Sequence, residues 1–214
     1  MYTPAHFVED RPEVLVALMR DHPLATLVTF GKQGLAASHI PLIYDPLPEP
    51  FGTLRGHMAK ANPQWRDISA EVQALAIFGG LQHYITPSWY PSTAEHGKVV
   101  PTWNYAVVHA SGKLAVQHDC IWLRRNVEEL TNANERKFTR AWRVDDAPAE
   151  YIDRMLREIV GVEITLDKLE GKWKVSQNRA ATDQAGVVSG LRELGTPEAC
   201  EMARLVAERG VKQE

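Results

Sequence analysis

The stretch GKVVPTWNYAVVHASGKLAV, Gly97 to Val116, decides how the rest of the chain is read. Val107, Val108, Leu114 and Val116 flank Ser111-Gly112, the pattern of a hairpin whose glycine supplies the positive φ that a tight turn needs. The first half of the stretch is of a different kind. Thr102, Trp103, Asn104 and Tyr105 open the strand with four side chains that carry hydrogen-bonding groups, where an ordinary core strand opens with Val or Ile. What those polar ends meet is set by the rest of the chain.

Upstream, DRPEVLVALMRDHP predicts a helix: Asp10 and Glu13 have capping-box spacing, Pro12 suits the first turn, and Val14, Leu15, Leu18 and Met19 form an apolar face. Two strands follow, Leu24 to Phe30 and Leu35 to Tyr44, joined by Gly31-Lys32-Gln33-Gly34. Pro41 cannot donate to a ladder, so the second strand is expected at an edge or to leave its partner there. Thr53 to Met58 and Leu75 to Ile85 read as further strands, the latter bulged at Gly79-Gly80, with NPQWRDI a helical turn between them. TPSWYPSTAEHG reads as a long polar loop. Downstream of residue 118, IWLRRNVEELTNANERKF and APAEYIDRMLREIV have helical spacing, GVEITLDKLEGKWKVSQN is strand-like, and two helices occupy about residues 179–210. Six or seven antiparallel strands with helices between and after them predict an α+β fold, a small β-barrel wrapped by helices, in one domain over residues 1–214.

Composition narrows the function classes. The 214 residues are 44% hydrophobic and 24% charged, as in a globular protein long enough to bury a sizeable core. A net charge of −3 offers no whole-chain attraction to nucleic acid or anionic lipid, so DNA binding would need a local basic patch. Cys120 and Cys200 lie outside any Cys-x-x-Cys spacing and are expected to be buried or inert thiols. No apolar run approaches a membrane span and no secretory leader pattern opens the chain, so a cytoplasmic location is expected. The eight histidines show no paired metal-ligand spacing, Ser38 and His39 point to opposite faces of a strand, and nucleophile-elbow, dinucleotide and phosphate-loop motifs are absent. No catalytic side chain is assigned.

Three clusters carry candidate binding chemistry. LRGHMAKANPQW places Arg55, His57, Lys60 and Asn62 in one strand-to-helix turn, where cations beside a helix start can cradle a phosphate dianion. Solvated charges and a hydrogen-bonded core histidine are the plainer account of the same residues. Ser38 and His39 interrupt an apolar strand, and WKVSQNR ends the last strand with Gln177 and Arg179, residues that also suit a turn.

The blocks MYTPAHF, HPLATLVT, SHIPL, RGHMAKANPQW, YITPSWYPS, VVPTWNYAVVHASG and GKWKVSQNR, in this order, resemble the PaiB-type FMN-binding negative transcriptional regulators from Met1 to about Leu194. That family is similar to the flavin-binding split barrels of the pyridoxamine-phosphate-oxidase type, homodimers with FMN held between subunits. The resemblance implies FMN as cofactor and a homodimer as partner state. It further implies that Arg55, His57 and Lys60 take the phosphate, that Thr102, Trp103, Asn104 and Tyr105 face the flavin, and that Ser38, His39, Asn62, Gln177 and Arg179 complete the pocket. A flavin-dependent oxidoreductase acting on a small substrate is the alternative function. No reader motif supports direct DNA binding: the stretch RAATDQAGVVSGLREL carries only Arg179 and Arg192 as cations.

Overall fold

A computed structural model of the chain describes residues 1–210. Seven strands, β1 (Val8–Glu9), β2 (Leu24–Gly31), β3 (Gly34–Asp45), β4 (Thr53–Ala59), β5 (Ala74–Ile85), β6 (Thr102–Gln117) and β7 (Ile159–Lys174), form a sheet in the order β1-β7-β4-β3-β2-β5-β6, and a further β7–β6 pairing closes that order on itself. The β1–β7, β2–β3, β2–β5, β3–β4 and β4–β7 ladders are antiparallel. Six α-helices accompany them: α1 (Pro12–Asp21), α2 (Ser92–His96), α3 (Cys120–Glu135), α4 (Ala149–Arg157), α5 (Ala181–Leu194) and α6 (Pro197–Arg209). The α+β class and the strand count agree with the sequence reading.

Three local readings change. The opening stretch is not a hairpin. β6 runs unbroken through Ser111-Gly112, and a Cβ on Gly112 would lie 2.1 Å from the Thr165 carbonyl oxygen, so that glycine serves close approach to β7 and not a turn. The polar loop after β5 carries structure of its own, a 3₁₀ turn at Pro87–Trp89 capped by Thr86 and then α2. Cys120 and Cys200 are both exposed. Pro41 behaves as expected: it closes the β2–β3 ladder opposite Leu24, and from Leu42 onward β3 pairs with β4.

The chain packs as two compact units whose boundaries fall inside elements, within α1, β5, β6 and β7, so no linker marks them. Unit 1 comprises residues 1–15, 79–108 and 170–210 of the described chain. Its core gathers Ile85, Tyr90, Val175, Val187, Leu191, Met202 and Val206, and α5 approaches the 3₁₀ turn so closely that a Cβ on Gly190 would meet the Trp89 indole at 2.4 Å. Glu9 on β1 is 3% exposed and is held by Arg11 and Arg209. Burial alone would raise its carboxyl, but those arginine hydrogen bonds carry it down to about 2.

Unit 2 comprises residues 16–78 and 109–169. Alternation sorts its strands: Leu27, Leu42, Leu54, Met58, Val160, Val162 and Ile164 face inward and are nearly inaccessible. Arg55 and His57 share the other face of β4, on which α3 packs, and α3 meets α4 through Leu123, Ile152 and Leu156.

Candidate functional site

In unit 2 the expected phosphate cradle is largely satisfied from within. Arg55 is 12% exposed at its side chain and holds Glu129 Oε2 at 2.7 Å and Asp45 Oδ2 at 3.3 Å. Glu129 is reached from the other side by Arg125 at 2.9 Å. His57 Nδ1 lies 3.2 Å from Asn126 Nδ2, and burial holds the imidazole below the ordinary histidine value. The helix start at Asn62-Pro63 is a four-residue 3₁₀ turn whose first free N–H, on Gln64, is capped by Asn62 itself at 3.0 Å. The remaining amide of Asn62 donates to Ser38 Oγ at 2.9 Å, while His39 Nδ1 contacts Thr26 Oγ1 at 3.0 Å on the exposed face. Lys60 is exposed, with only a 3.4 Å contact to the Arg157 carbonyl. Of this group, Lys60 is the cation without a carboxylate among the described residues.

In unit 1 the polar residues that open β6 divide by strand alternation. Asn104 is fully buried and locks β6 to the end of β7: its Nδ2 donates to Ser176 Oγ at 3.0 Å, and that hydroxyl reaches back to Asn104 Oδ1 at 3.3 Å. Ser176 adopts φ 70°, the left-handed region that costs a residue with a Cβ. Gln177 spends its amide on the same corner, accepting from Val175 N at 2.7 Å and donating to the Trp173 carbonyl at 2.6 Å. Thr102 and the Trp103 carbonyl accept from Lys174 Nζ at 2.5 and 2.7 Å. Trp103, 53% exposed, and half-buried Tyr105 take the opposite face, with Trp103 edge-on to Tyr84 at 5.9 Å.

Around that strand end stand three cations, Lys172, Lys174 and Arg179. Lys172 Nζ lies 5.3 Å from the centre of the Tyr105 ring, and Arg179 stacks on Tyr90 at 4.8 Å. Burial first, then the charges of Arg179 and Lys172, hold the Lys174 ammonium below the ordinary lysine value. None of the three is paired with a carboxylate among the described residues. Like charges left together without a counter-ion, beside exposed aromatic area, are the donor set that a planar aromatic anion requires. FMN has that chemistry, a dianionic phosphate joined through a ribityl chain to an aromatic ring system, and the residues of unit 1 fit it.

Sequence reasoning missed Lys172 and Lys174. Their signal was present: the Lys-x-Lys spacing puts both on one face of a strand. Tyr84 was missed because nothing local in LQHYITP distinguishes it.

A family model described as "Putative FMN-binding domain" matches residues 1–168. The chain is 38% identical over 248 aligned positions to an uncharacterized protein of Emericella nidulans, with 98% of each chain covered. It is 32% identical over 219 positions to the protease synthase and sporulation protein PAI 2 of Bacillus subtilis, with 100% of each covered. Among solved structures it is similar to the flavocytochrome Anf3 of Azotobacter vinelandii, with a TM-score of 0.56 at 8% identity over 78% of this chain and 69% of that one. A conserved hypothetical protein of Mycobacterium tuberculosis gives a TM-score of 0.55 at 12% identity, covering 92% of this chain and 94% of the other. Both structural likenesses concern the fold.

Proposed function

Because the chain belongs to the PaiB-type FMN-binding family, we propose that it is a homodimeric flavoprotein acting as a negative regulator of transcription, its state set by the bound flavin. FMN is its cofactor. When bound, FMN supplies one- and two-electron redox chemistry, and the protein supplies binding, orientation and charge. The observation that carries the site is the carboxylate-free cluster of unit 1. Lys174 and Arg179 take the phosphate, Lys172 adds charge beside Tyr105, and Trp103 offers its exposed ring. Arg55, His57 and Asn62 hold the scaffold of unit 2, and Asn104 that of unit 1.

The regulatory role runs through the flavin or a partner protein, not through a reader helix. Arg124 and Arg125 on α3 and Arg204 and Arg209 on α6 are each paired with a carboxylate, and α5 carries Arg192 alone. The same pairing favours the second reading, a flavin-dependent oxidoreductase of a small substrate, which needs no duplex contact.

The test compares FMN with riboflavin, which lacks the phosphate, by flavin fluorescence titration of the full chain. Lys174→Met and Arg179→Met are each expected to weaken FMN about tenfold or more, the worth of one charge-assisted contact, and to change riboflavin little. Arg55→Met is expected to affect both flavins alike. An FMN-selective loss in Arg55→Met, with none in the unit 1 variants, moves the phosphate to β4 and sinks the assignment. Reduced-nicotinamide oxidation by the FMN-loaded protein separates the two functions.

A further inference from the structure

Unit 2 contains a cleft of about 140 Å³ between the end of α1, β3 and the last turns of α3, and its lining includes none of the residues assigned to flavin. Its floor is apolar, formed by Ile43 and Leu130, with Leu42 and Pro23 also in its lining. Its rim carries two guanidinium groups, Arg20 in the last turn of α1 and Arg136 at the C-cap of α3, with the Tyr44 hydroxyl beside them. Neither arginine has a carboxylate or a side-chain hydrogen bond among the described residues, although Arg124 and Arg125 on the same helix each hold a glutamate one turn on. Asp45, next to Tyr44 on β3, is already taken by Arg55 and the Leu47 amide. Arg20 lies close enough to Tyr44 to oppose the upward pull of burial on that hydroxyl.

We propose that this cleft is a ligand site for a small aromatic carboxylate. Cations at helix C-termini stabilise the helices whatever else they do, but a cap needs no apolar cavity beneath it. Two guanidinium forks above an apolar floor select a molecule with a carboxylate at one end and a hydrocarbon ring at the other. The volume matches: apolar cavities of about 150 Å³ accept benzene. A second small molecule bound in unit 2 gives a flavoprotein an effector input distinct from its cofactor.

The probe is benzoate, titrated into the full FMN-loaded protein by isothermal calorimetry, with benzyl alcohol as the neutral isostere and acetate as the ringless anion. Saturable benzoate binding, at least about tenfold tighter than either control, is expected. Arg20→Gln and Arg136→Gln are each expected to weaken it about tenfold, the worth of one charge-assisted pair. Ala133→Leu fills the cleft from an exposed helix position and is expected to abolish benzoate binding while leaving FMN affinity unchanged. Benzyl alcohol binding as tightly as benzoate, non-saturable benzoate heats, or benzoate affinity indifferent to all three substitutions would overturn the proposal.

Discussion

His57 shows how a single buried group ties this fold to pH. Burial against α3 holds its imidazole below the ordinary histidine value, with Asn126 as its contact, while the Oδ1 atom of the fully buried Asn126 has no hydrogen-bond partner among the described residues. The folded value lies below the unfolded one, about 6.5. In the window between them the unfolded chain binds a proton that the folded chain does not, so this contribution to stability is complete above about pH 6.5 and is lost as pH falls through the folded value. Denaturant unfolding at pH 7.5 and 5.5 is expected to show a larger loss for the native protein than for His57→Gln, which cannot titrate. Parallel losses would mean that His57 does not titrate differently on folding. The same residue shows what was legible in sequence: its place on the Arg55 face of β4 followed from period-two alternation, but its cover did not. Asn126 and Glu129 sit roughly 70 residues downstream on α3, and nothing in LRGHMAK announces a helix that will occupy its cations.

At the scale of elements, local pattern gave most strands and helices, because period and breaker residues are written into adjacent positions. It failed where a glycine answered a distant neighbour. Gly112 was read as a turn because Ser-Gly usually is one, yet it makes room for the Thr165 backbone. Gly190 in α5 makes room for Trp89 in the same way. Gly190→Ala would gain roughly 1 kcal/mol of helix propensity at an open site. Here it is expected to destabilise by about 1–3 kcal/mol, because the added methyl must displace an indole. Thermal unfolding checks the sign, and a stabilised variant would show that Trp89 yields freely. Ser176 is the converse case, a side chain kept at a conformation that suits glycine. Ser176→Ala and Ser176→Gly both strip Asn104 of its partner, but only the alanine keeps the backbone cost, so it is expected to be less stable than the glycine variant by about 1 kcal/mol. Equal stabilities in denaturant would remove strain from the account of that corner.

For the whole molecule, the prediction concerns what its exposed rings meet. Unit 1 leaves Tyr2, Tyr84 and Trp103 at 85, 45 and 53% exposure, and unit 2 leaves Phe30 and Leu35 exposed opposite each other on the β2–β3 ladder. Apolar area of this kind marks an interaction surface more often than it stays wet. Light scattering after size exclusion is expected to give a dimer, shifted toward monomer by Leu35→Lys or Trp103→Ser; a monomer that still binds FMN tightly would refute the dimeric flavoprotein. The discontinuous make-up of the two units has a consequence for biosynthesis. Every segment of unit 2 has been translated by residue 169, whereas unit 1 waits for the stretch from Glu170 onward to join residues 1–15 and 79–108. At about 5–20 residues per second, the roughly forty residues from Glu170 to Gly210 take on the order of seconds to emerge. For that interval the ribosome carries a chain whose Glu9 still lacks Arg209, whose Tyr90 lacks Arg179 and whose Trp103 carbonyl lacks Lys174, so loss of the last segment leaves the first one without a home.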